Sequence, residues 1–342
     1  MKAAIYNPYW DTLGGGERYS ISFAKVLVDL GYEVDIEWKD PEILKKIEKR
    51  FGLVTDNVRI VESVKRGDGY DLCFWVSDGS VPLLRSRNNI LHFQVPFKNV
   101  NGNTLINRMK FFRIKSIICN SRFTKMIIDE EYAVKSVVVY PPCDISKIKP
   151  KRKQNLILFV GRFSQLLQSK RQDVLIDAFK KSVKRGLRDW RLVLLGGIEV
   201  GADEYLKFLK KKAKSYRVDF IEGADYKTLV DYYGKAKIFW SASGYGENEL
   251  KNPEKVEHFG MSGVEAMAGG CVPLLYESGG HREIVDNAKN GYTWNKLSEF
   301  VRLTINLVSD SKSLHQLSKE AVKKSGNFSY EVFSEKIKEV LR

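Results

Sequence analysis

Apolar and polar positions along the chain alternate between two patterns, which predict strands and helices in turn. Short apolar runs such as Ala3–Tyr6, Glu33–Trp38 and Tyr70–Ser77 are typical of strands, and the segment that follows the first of them has helical spacing. Similar runs and helical segments recur in the second half, beginning with the strand at 156–164. Strands that alternate with helices predict an α/β fold with parallel sheets.

The length of 342 residues favours two domains over a single core. The charged stretch 146–155 has the composition of an interdomain linker. We therefore predict a first domain at 1–150, a second domain at 151–327 and a terminal helix at 328–342.

Composition narrows the class of protein. The 43% hydrophobic and 29% charged residues are typical of a folded chain, and no apolar run approaches the ~20 residues that span a bilayer. The first residues lack the apolar core of a signal peptide, so we expect a cytoplasmic location. The four cysteines form no C-x-x-C pair, which favours buried thiols.

The net charge of +15 predicts an anionic partner, for which nucleic acid, an anionic membrane and a phosphate-bearing substrate are all candidates. Lysine runs such as 210–214 lack interleaved aromatic residues, which argues against a single-strand-binding surface. We therefore expect no specific nucleic-acid partner.

Glycines follow the first predicted strand. Gly14, Gly15 and Gly16 precede a helix, so backbone N–H groups could approach a phosphate closely there. The spacing departs from G-x-G-x-x-G, which removes the main support for a dinucleotide site and hydride transfer.

The stretch EHFGMSGVEAMAGGCVP, residues 257–273, is the strongest candidate site. Ser262 is a candidate N-cap, which would place Glu265 in the first turn of a helix and Glu257 just upstream. A helix start binds phosphate, and carboxylates nearby accept hydrogen bonds from sugar hydroxyls, so the stretch predicts a nucleotide-sugar site. The alternative is that Glu265 only stabilises the helix and Glu257 is solvated.

Other predicted strand ends carry polar residues. His92 ends a strand, where ligands of α/β sheets bind, although a buried structural histidine is equally compatible with the sequence. Arg162 and Lys170 could converge on a diphosphate, with Arg171 as a competitor for the second position. Gly223 follows another strand, at an edge where a nucleobase could bond to backbone.

The segment 103–116 combines Leu105, Met109 and Phe112 at helical spacing with four Arg or Lys residues. Packing of this helix on its own domain is the simpler interpretation. The alternative is that Phe111 and the cations lie on an anionic membrane surface.

The 257–273 stretch resembles the E-x7-E signature of retaining, two-domain (GT-B) glycosyltransferases of family 4, and the resemblance extends over the whole chain. The resemblance implies two Rossmann-like domains facing across a cleft. The first, at 1–150, would be the acceptor domain and the second, at 151–327, the nucleotide-sugar donor domain, with the C-terminal helix crossing back to the first domain. In that family Glu257 would contact the donor sugar and Glu265 the ribose, while Arg162 and Lys170 would bind the diphosphate. His92 would contact the donor sugar near the reacting centre. The remaining donor-binding positions would be Gly15, Gly16, Gly223, Phe259, Gly260 and Met261.

The resemblance also implies transfer of a hexose with retention of configuration, from a GDP- or UDP-linked donor to a glycan or lipid-linked acceptor. The segments EHFG and YPPCD are similar to dolichol-linked-oligosaccharide mannosyltransferases, which favours mannose. No Asp-x-Asp pair is present to hold a metal, so we expect metal-independent catalysis without a cofactor. The alternatives are a nucleotide-sugar epimerase or hydrolase of the same fold and, in another class, a basic nucleic-acid-binding protein. A peripheral position on the cytoplasmic face of a membrane is left open.

Overall fold

The computed structural model describes residues 1–52, 56–165 and 168–342. The chain divides into two compact units, one formed by Met1–Pro142 with Tyr330–Arg342 and the other by Cys143–Ser329. The division falls earlier than the predicted boundary at residue 150. The reason is that residues 143–150 belong to the second unit, where the N–H of Cys143 donates to the carbonyl oxygen of Phe328 at 2.9 Å and the hydroxyl of Tyr226 donates to the carboxylate of Asp144 at 2.8 Å.

The first unit is a seven-stranded parallel sheet with helices. Its strands are β1 (Lys2–Tyr6), β2 (Glu33–Glu37), β3 (Val58–Val61), β4 (Leu72–Val76), β5 (Asn88–Phe93), β6 (Ser116–Cys119) and β7 (Val137–Val138). The helices between them are α1 (Gly15–Asp29), α2 (Ile43–Phe51), α3 (Leu105–Phe111) and α4 (Arg122–Tyr132). The strand order is β3-β2-β1-β4-β5-β6-β7.

The second unit repeats this plan with six parallel strands. They are β8 (Gln154–Val160), β9 (Arg191–Gly196), β10 (Val218–Glu222), β11 (Ala236–Ser241), β12 (Val272–Tyr276) and β13 (Tyr292–Trp294), in the order β10-β9-β8-β11-β12-β13. The helices are α5 (Gln172–Lys184), α6 (Asp203–Ala213), α7 (Tyr226–Lys235), α8 (Met261–Ala268), α9 (His281–Ile284), α10 (Leu297–Ser309) and α11 (Ser311–Ser325).

The inner strands of both sheets are buried on both faces, because helices cover each side. This is why they appear in the sequence as nearly continuous apolar runs. An aromatic group fills the core of the second unit, where Trp294 and Phe300 stack with their ring centroids 4.2 Å apart and Trp240 packs against Phe300.

The last helix, α12 (Tyr330–Leu341), belongs to the first unit. Phe333 and Ile337 are buried in that core, and the ring of Phe333 meets Tyr19 of α1 edge-on at 5.1 Å. The chain thus leaves the first unit at Pro142 and returns to it at Tyr330.

Each sheet has a switch point, where the chain order of the strands reverses. It lies between β1 and β4 in the first unit and between β8 and β11 in the second. Ligands of open α/β sheets bind at the carboxyl ends of the strands at such points. The predicted fold class of two Rossmann-like α/β units is therefore confirmed.

Two further observations bear on the predictions from composition. Within the described residues, no helix is both long and apolar enough to cross a membrane. The four cysteines are buried thiols, as the sequence indicated.

Candidate functional site in the second unit

The two carboxylates of the E-x7-E stretch are held by different partners. Glu257 lies in the loop before α8, and its Oε2 accepts a hydrogen bond from the ammonium group of Lys170 at 2.7 Å. Both side chains are largely buried, with 17% and 18% exposed. Glu265 lies inside α8, where it is buried and accepts a hydrogen bond from the hydroxyl of Tyr233 at 3.0 Å.

The charge state of Glu257 follows from its neighbours. Burial alone would raise its pKa, but the charges of Lys170 and His281 and the hydrogen bond from Lys170 outweigh burial and lower the pKa to about 2. Glu257 is therefore ionised at physiological pH, and it can accept hydrogen bonds from a ligand without needing to lose a proton.

The helix start differs from the prediction. Helix α8 begins at Met261, its N-cap is Gly260 with φ +107°, and Ser262 lies within the helix. Glu265 is accordingly in the second turn, so its role as a first-turn carboxylate was predicted wrongly. Gly260 is required at this cap because a side chain would adopt the left-handed conformation only at a cost, and it would meet Ile284 and His281 at 3.1 and 3.2 Å.

The backbone of the glycine pair Gly279–Gly280 packs directly against the loop that carries Glu257. A methyl group added at Gly279 would lie 2.2 Å from the carbonyl oxygen of Glu257, and one added at Gly280 would lie 2.4 Å from that of His258. The N–H group of Gly280 donates to the Glu257 carbonyl at 2.9 Å. Two adjacent glycines in a sequence are a signal of such close backbone approach.

A buried histidine follows this pair and was missed in the sequence. The Nδ1 of His281 lies 2.8 Å from the carbonyl oxygen of Tyr276, which fixes a proton on that nitrogen. Burial lowers the pKa of His281 despite the nearby charge of Glu257, so the ring is neutral at pH 7. The ring of His281 lies beside Gly260, which in turn lies against the side chain of Glu257.

The two cations predicted to bind a diphosphate are placed differently. Arg162 follows β8 and is exposed. Its guanidinium lies 3.7 Å from the carboxylate of Glu199, with which it forms an ion pair. Lys170 precedes α5 and is held by Glu257. Because both follow β8, they lie at the carboxyl edge of the sheet, beside the switch point.

The competing cation, Arg171, has a structural role. Its guanidinium forms two hydrogen bonds with Asp173, at 3.0 and 3.1 Å, and a third with the carbonyl oxygen of Tyr245 at 2.6 Å. These contacts hold it at the start of α5. They favour Lys170 as the second ligand-binding cation.

The other donor-binding positions of this unit lie around the same edge. The N–H group of Gly223 donates to the carbonyl oxygen of Gly196 at 3.1 Å, which joins the ends of β9 and β10. Phe259 is buried and packs edge-on against Phe328 at 5.4 Å, so it supports the loop. Met261 is half-buried at the first position of α8.

No group of three or more His, Cys, Asp or Glu side chains that could hold a metal occurs in the part of the chain that the structure describes. Metal-independent catalysis stays a prediction.

Candidate residues of the first unit

The glycine turn of the first unit forms the start of α1. Gly14 is the N-cap, and Gly15 and Gly16 occupy the first helical positions. The carboxylate of Glu17 closes this turn by accepting hydrogen bonds from the N–H of Gly14 at 2.6 Å and the hydroxyl of Thr12 at 2.7 Å. The turn is thereby fixed without a ligand.

The structure favours one of the two interpretations that the sequence left open for His92. It is fully buried in β5, its ring is stacked on Tyr19 with centroids 4.1 Å apart, and its Nδ1 lies 3.2 Å from the carbonyl oxygen of Ile118. Burial lowers its pKa to about 3, so it is neutral. The structure thus gives His92 the surroundings of a core histidine, the reading that the sequence had left open.

Gln94, two residues further on, lies at the strand end that was predicted for His92. A methyl group added at Gly16 would lie 2.0 Å from its Oε1, so Gln94 contacts the glycine turn directly. The backbone oxygen of Gln94 also accepts a hydrogen bond from the amide of Asn120 at 2.9 Å. Gln94 is therefore a polar side chain directly after β5 that meets the start of α1.

Comparison with known proteins

The two sheets define the class first: a protein of two Rossmann-like units, each with a switch point in its strand order. The family model for glycosyl transferases group 1 matches residues 144–324, which is more than half of the chain. The chain belongs to the glycosyl transferases group 1, and the predicted family is confirmed.

Relatives and solved structures agree with this assignment. An uncharacterised glycosyltransferase of Methanocaldococcus jannaschii is 25% identical over 97% of this chain and 95% of its own length. A GDP-Man:Man(3)GlcNAc(2)-PP-Dol alpha-1,2-mannosyltransferase of Dictyostelium discoideum is 24% identical over 64% of this chain. That match spans 45% of the Dictyostelium protein.

The solved structure of Anabaena HepE, in complex with UDP and glucose, shares the fold. It superimposes with a TM-score of 0.75 at 18% identity and covers 100% of this chain and 99% of its own.

Proposed function

We propose that this protein is a retaining glycosyltransferase that moves a hexose, with mannose as the first choice, from a nucleotide-diphosphate sugar to a glycan or lipid-linked acceptor. The observation that carries the proposal is the buried Lys170–Glu257 pair beside the switch point of a group 1 glycosyltransferase unit. The similarity to a mannosyltransferase favours GDP-mannose as donor, whereas the neighbour solved with UDP keeps UDP-sugars as the second choice.

In the proposed reaction, the bond between the anomeric carbon and the diphosphate oxygen breaks and its electron pair leaves with the diphosphate. The acceptor hydroxyl attacks the anomeric carbon from the same face, and its proton passes to the departing phosphate oxygen. Lys170, Arg162 and the start of α8 would stabilise the charge on the diphosphate. Glu257 and Glu265 would accept hydrogen bonds from the hydroxyls of the sugar and the ribose.

This proposal assigns no nucleophile to the chain and needs no proton transfer from Glu257, which agrees with its low pKa. It leaves His92 outside the reaction, because that ring lies in the core. The comparisons give no support to an epimerase, a hydrolase or a nucleic-acid-binding protein. The predicted cytoplasmic location stays a prediction.

A thermal-shift screen tests the donor site. We expect GDP-mannose to stabilise the protein without added metal, by about 2.7 kcal/mol at a hundred times its dissociation constant. Glu265→Gln should reduce this stabilisation, while Glu204→Gln serves as the control for loss of one carboxylate of this unit, because Glu204 is exposed on α6. Stabilisation by UDP-sugars alone would change the donor, and stabilisation by none of them would contradict the proposal.

The anomeric configuration of the product, determined by NMR, tests retention.

A further inference from the structure

Helix α3 exposes its apolar side chains to solvent. Leu105, Ile106, Met109 and Phe112 are 75%, 66%, 63% and 89% exposed, and together they are termed the apolar stripe. Packing of this helix on its own domain through Leu105, Met109 and Phe112 was the simpler expectation from the sequence, and it is wrong. The stripe follows helical spacing, so its members share one face.

The opposite face of α3 holds the helix to the first unit. The ammonium group of Lys110 donates to the carbonyl oxygen of Val81 at 2.7 Å, and the amide of Asn107 donates to that of Gly102 at 3.0 Å. The ring of Phe111 meets Tyr132 edge-on at 6.2 Å. Phe111, which only the membrane alternative placed on a lipid surface, therefore faces the protein.

The helix is thus anchored through Asn107, Lys110 and Phe111, while the apolar stripe is directed outward. Its N-cap is formed by the side chain of Thr104, which accepts a hydrogen bond from the N–H of Asn107 at 3.2 Å. Large apolar side chains that are grouped on an exposed face mark a surface that another body covers.

The charge around the stripe favours one kind of partner. The helix and its flanks, residues 97–116, contain no Asp or Glu, and their five basic residues are Lys98, Arg108, Lys110, Arg113 and Lys115. The carboxylate of Glu131 contacts the loop before α3, where it accepts hydrogen bonds from the backbone N–H groups of Asn99, Val100 and Gly102. Arg108 borders the stripe and is exposed. A convex apolar stripe in basic surroundings fits an anionic lipid surface, where apolar groups enter the acyl boundary and cations remain among the headgroups.

We propose that the apolar stripe of α3 inserts into the interface of an anionic bilayer and so holds the first unit on a membrane surface. The helix has seven residues and would lie in the plane of the interface. This inference rests on the exposed stripe and its charge, and it is independent of which sugar is transferred.

Binding to vesicles tests the inference. The full chain should float with vesicles of phosphatidylcholine and phosphatidylglycerol, in a ratio of about three to one, and not with phosphatidylcholine alone. Phe112→Ser should weaken partitioning about tenfold, since it removes one large apolar group. Arg108→Gln should weaken it about fivefold at low salt.

Phe208→Ser is the matched control, because Phe208 is half-exposed on α6 among lysines of the second unit. It should leave vesicle binding unchanged. Equal binding of wild type and Phe112→Ser would overturn the inference, and so would an equal loss in Phe208→Ser.

A label gives an independent reading. Since the four native cysteines are buried, a thiol introduced by Phe112→Cys can be modified selectively with an environment-sensitive fluorophore. Its emission should shift to the blue on anionic vesicles, and the same label at Phe208→Cys should not respond. An unshifted label at 112 contradicts insertion. The wild type could instead form a dimer in the absence of vesicles and fail to bind lipid, with Phe112→Ser returning it to a monomer. That result would assign the stripe to a second copy of the chain and overturn the inference.

Discussion

Lys170 and Glu257 stabilise one another in surroundings where either charge alone would be costly. Removing one partner of a largely buried pair leaves the other without compensation. A ligand that brings a diphosphate to Lys170 and a sugar hydroxyl to Glu257 would give each a further partner. The pair is therefore suited to a substrate that carries both groups.

The ion pair between Lys170 and Glu257 should make the free energy of unfolding depend on pH. The pKa of Glu257 is lowered by Lys170 in the folded protein, so its contribution is present above the unfolded value near 4.5 and is lost as the pH falls through about 2. The difference in free energy of unfolding between wild type and Glu257→Gln should narrow by about 2 kcal/mol from about pH 6 to about pH 3. Urea unfolding at several pH values measures it, and a difference that stays constant would contradict the ion pair.

At the scale of elements, loops position the site more than helices do. The loop that carries Glu257 lies on the glycine pair Gly279–Gly280, and the N–H of Gly279 is held in turn by the carboxylate of Glu249 at 2.8 Å. Arg282 holds that carboxylate from the other side. The stretch after β12 is therefore part of the site's support.

Gly279→Ala tests this support. The added methyl group would meet a backbone oxygen at a residue with φ +51°, so we expect a loss of at least about 3 kcal/mol in stability and loss of turnover. Gly201→Ala is the control, because Gly201 also has positive φ but nothing lies within 4 Å of the added group. It should cost only about 1 kcal/mol. Similar losses in both variants, measured by urea unfolding, would show that the Glu257 loop is not supported in this way.

For the whole molecule, the order of strands and helices was predictable because the inner strands are buried on both faces and stand out as apolar runs. The short strands β3 and β13 and the helices α10 and α11 were not assigned from the sequence. Half-buried strands such as β3 carry a weak apolar signal.

Site residues were predictable where spacing along the chain determines them, as with Glu257 and Glu265. Side-chain direction was not predictable, which is why the sequence left His92 open between a ligand-binding and a core position and why Gln94 was overlooked. The same limit applies to α3, because helical spacing groups the apolar stripe on one face but does not say whether that face is covered. Tyr233, the partner of Glu265, carries no sequence signal at all.

The measurement that tests the central claim most directly is nucleotide-sugar affinity in Lys170→Met, compared with Lys151→Met. Both variants remove a lysine–carboxylate pair of the second unit, since Lys151 pairs with Asp231 at 2.8 Å. Calorimetric titration with GDP-mannose, and with UDP-glucose in parallel, should show affinity reduced at least about tenfold in Lys170→Met, because a charged hydrogen bond to phosphate is lost. Lys151→Met should bind as the wild type does. Equal affinity in wild type and a folded Lys170→Met would contradict the account of the site.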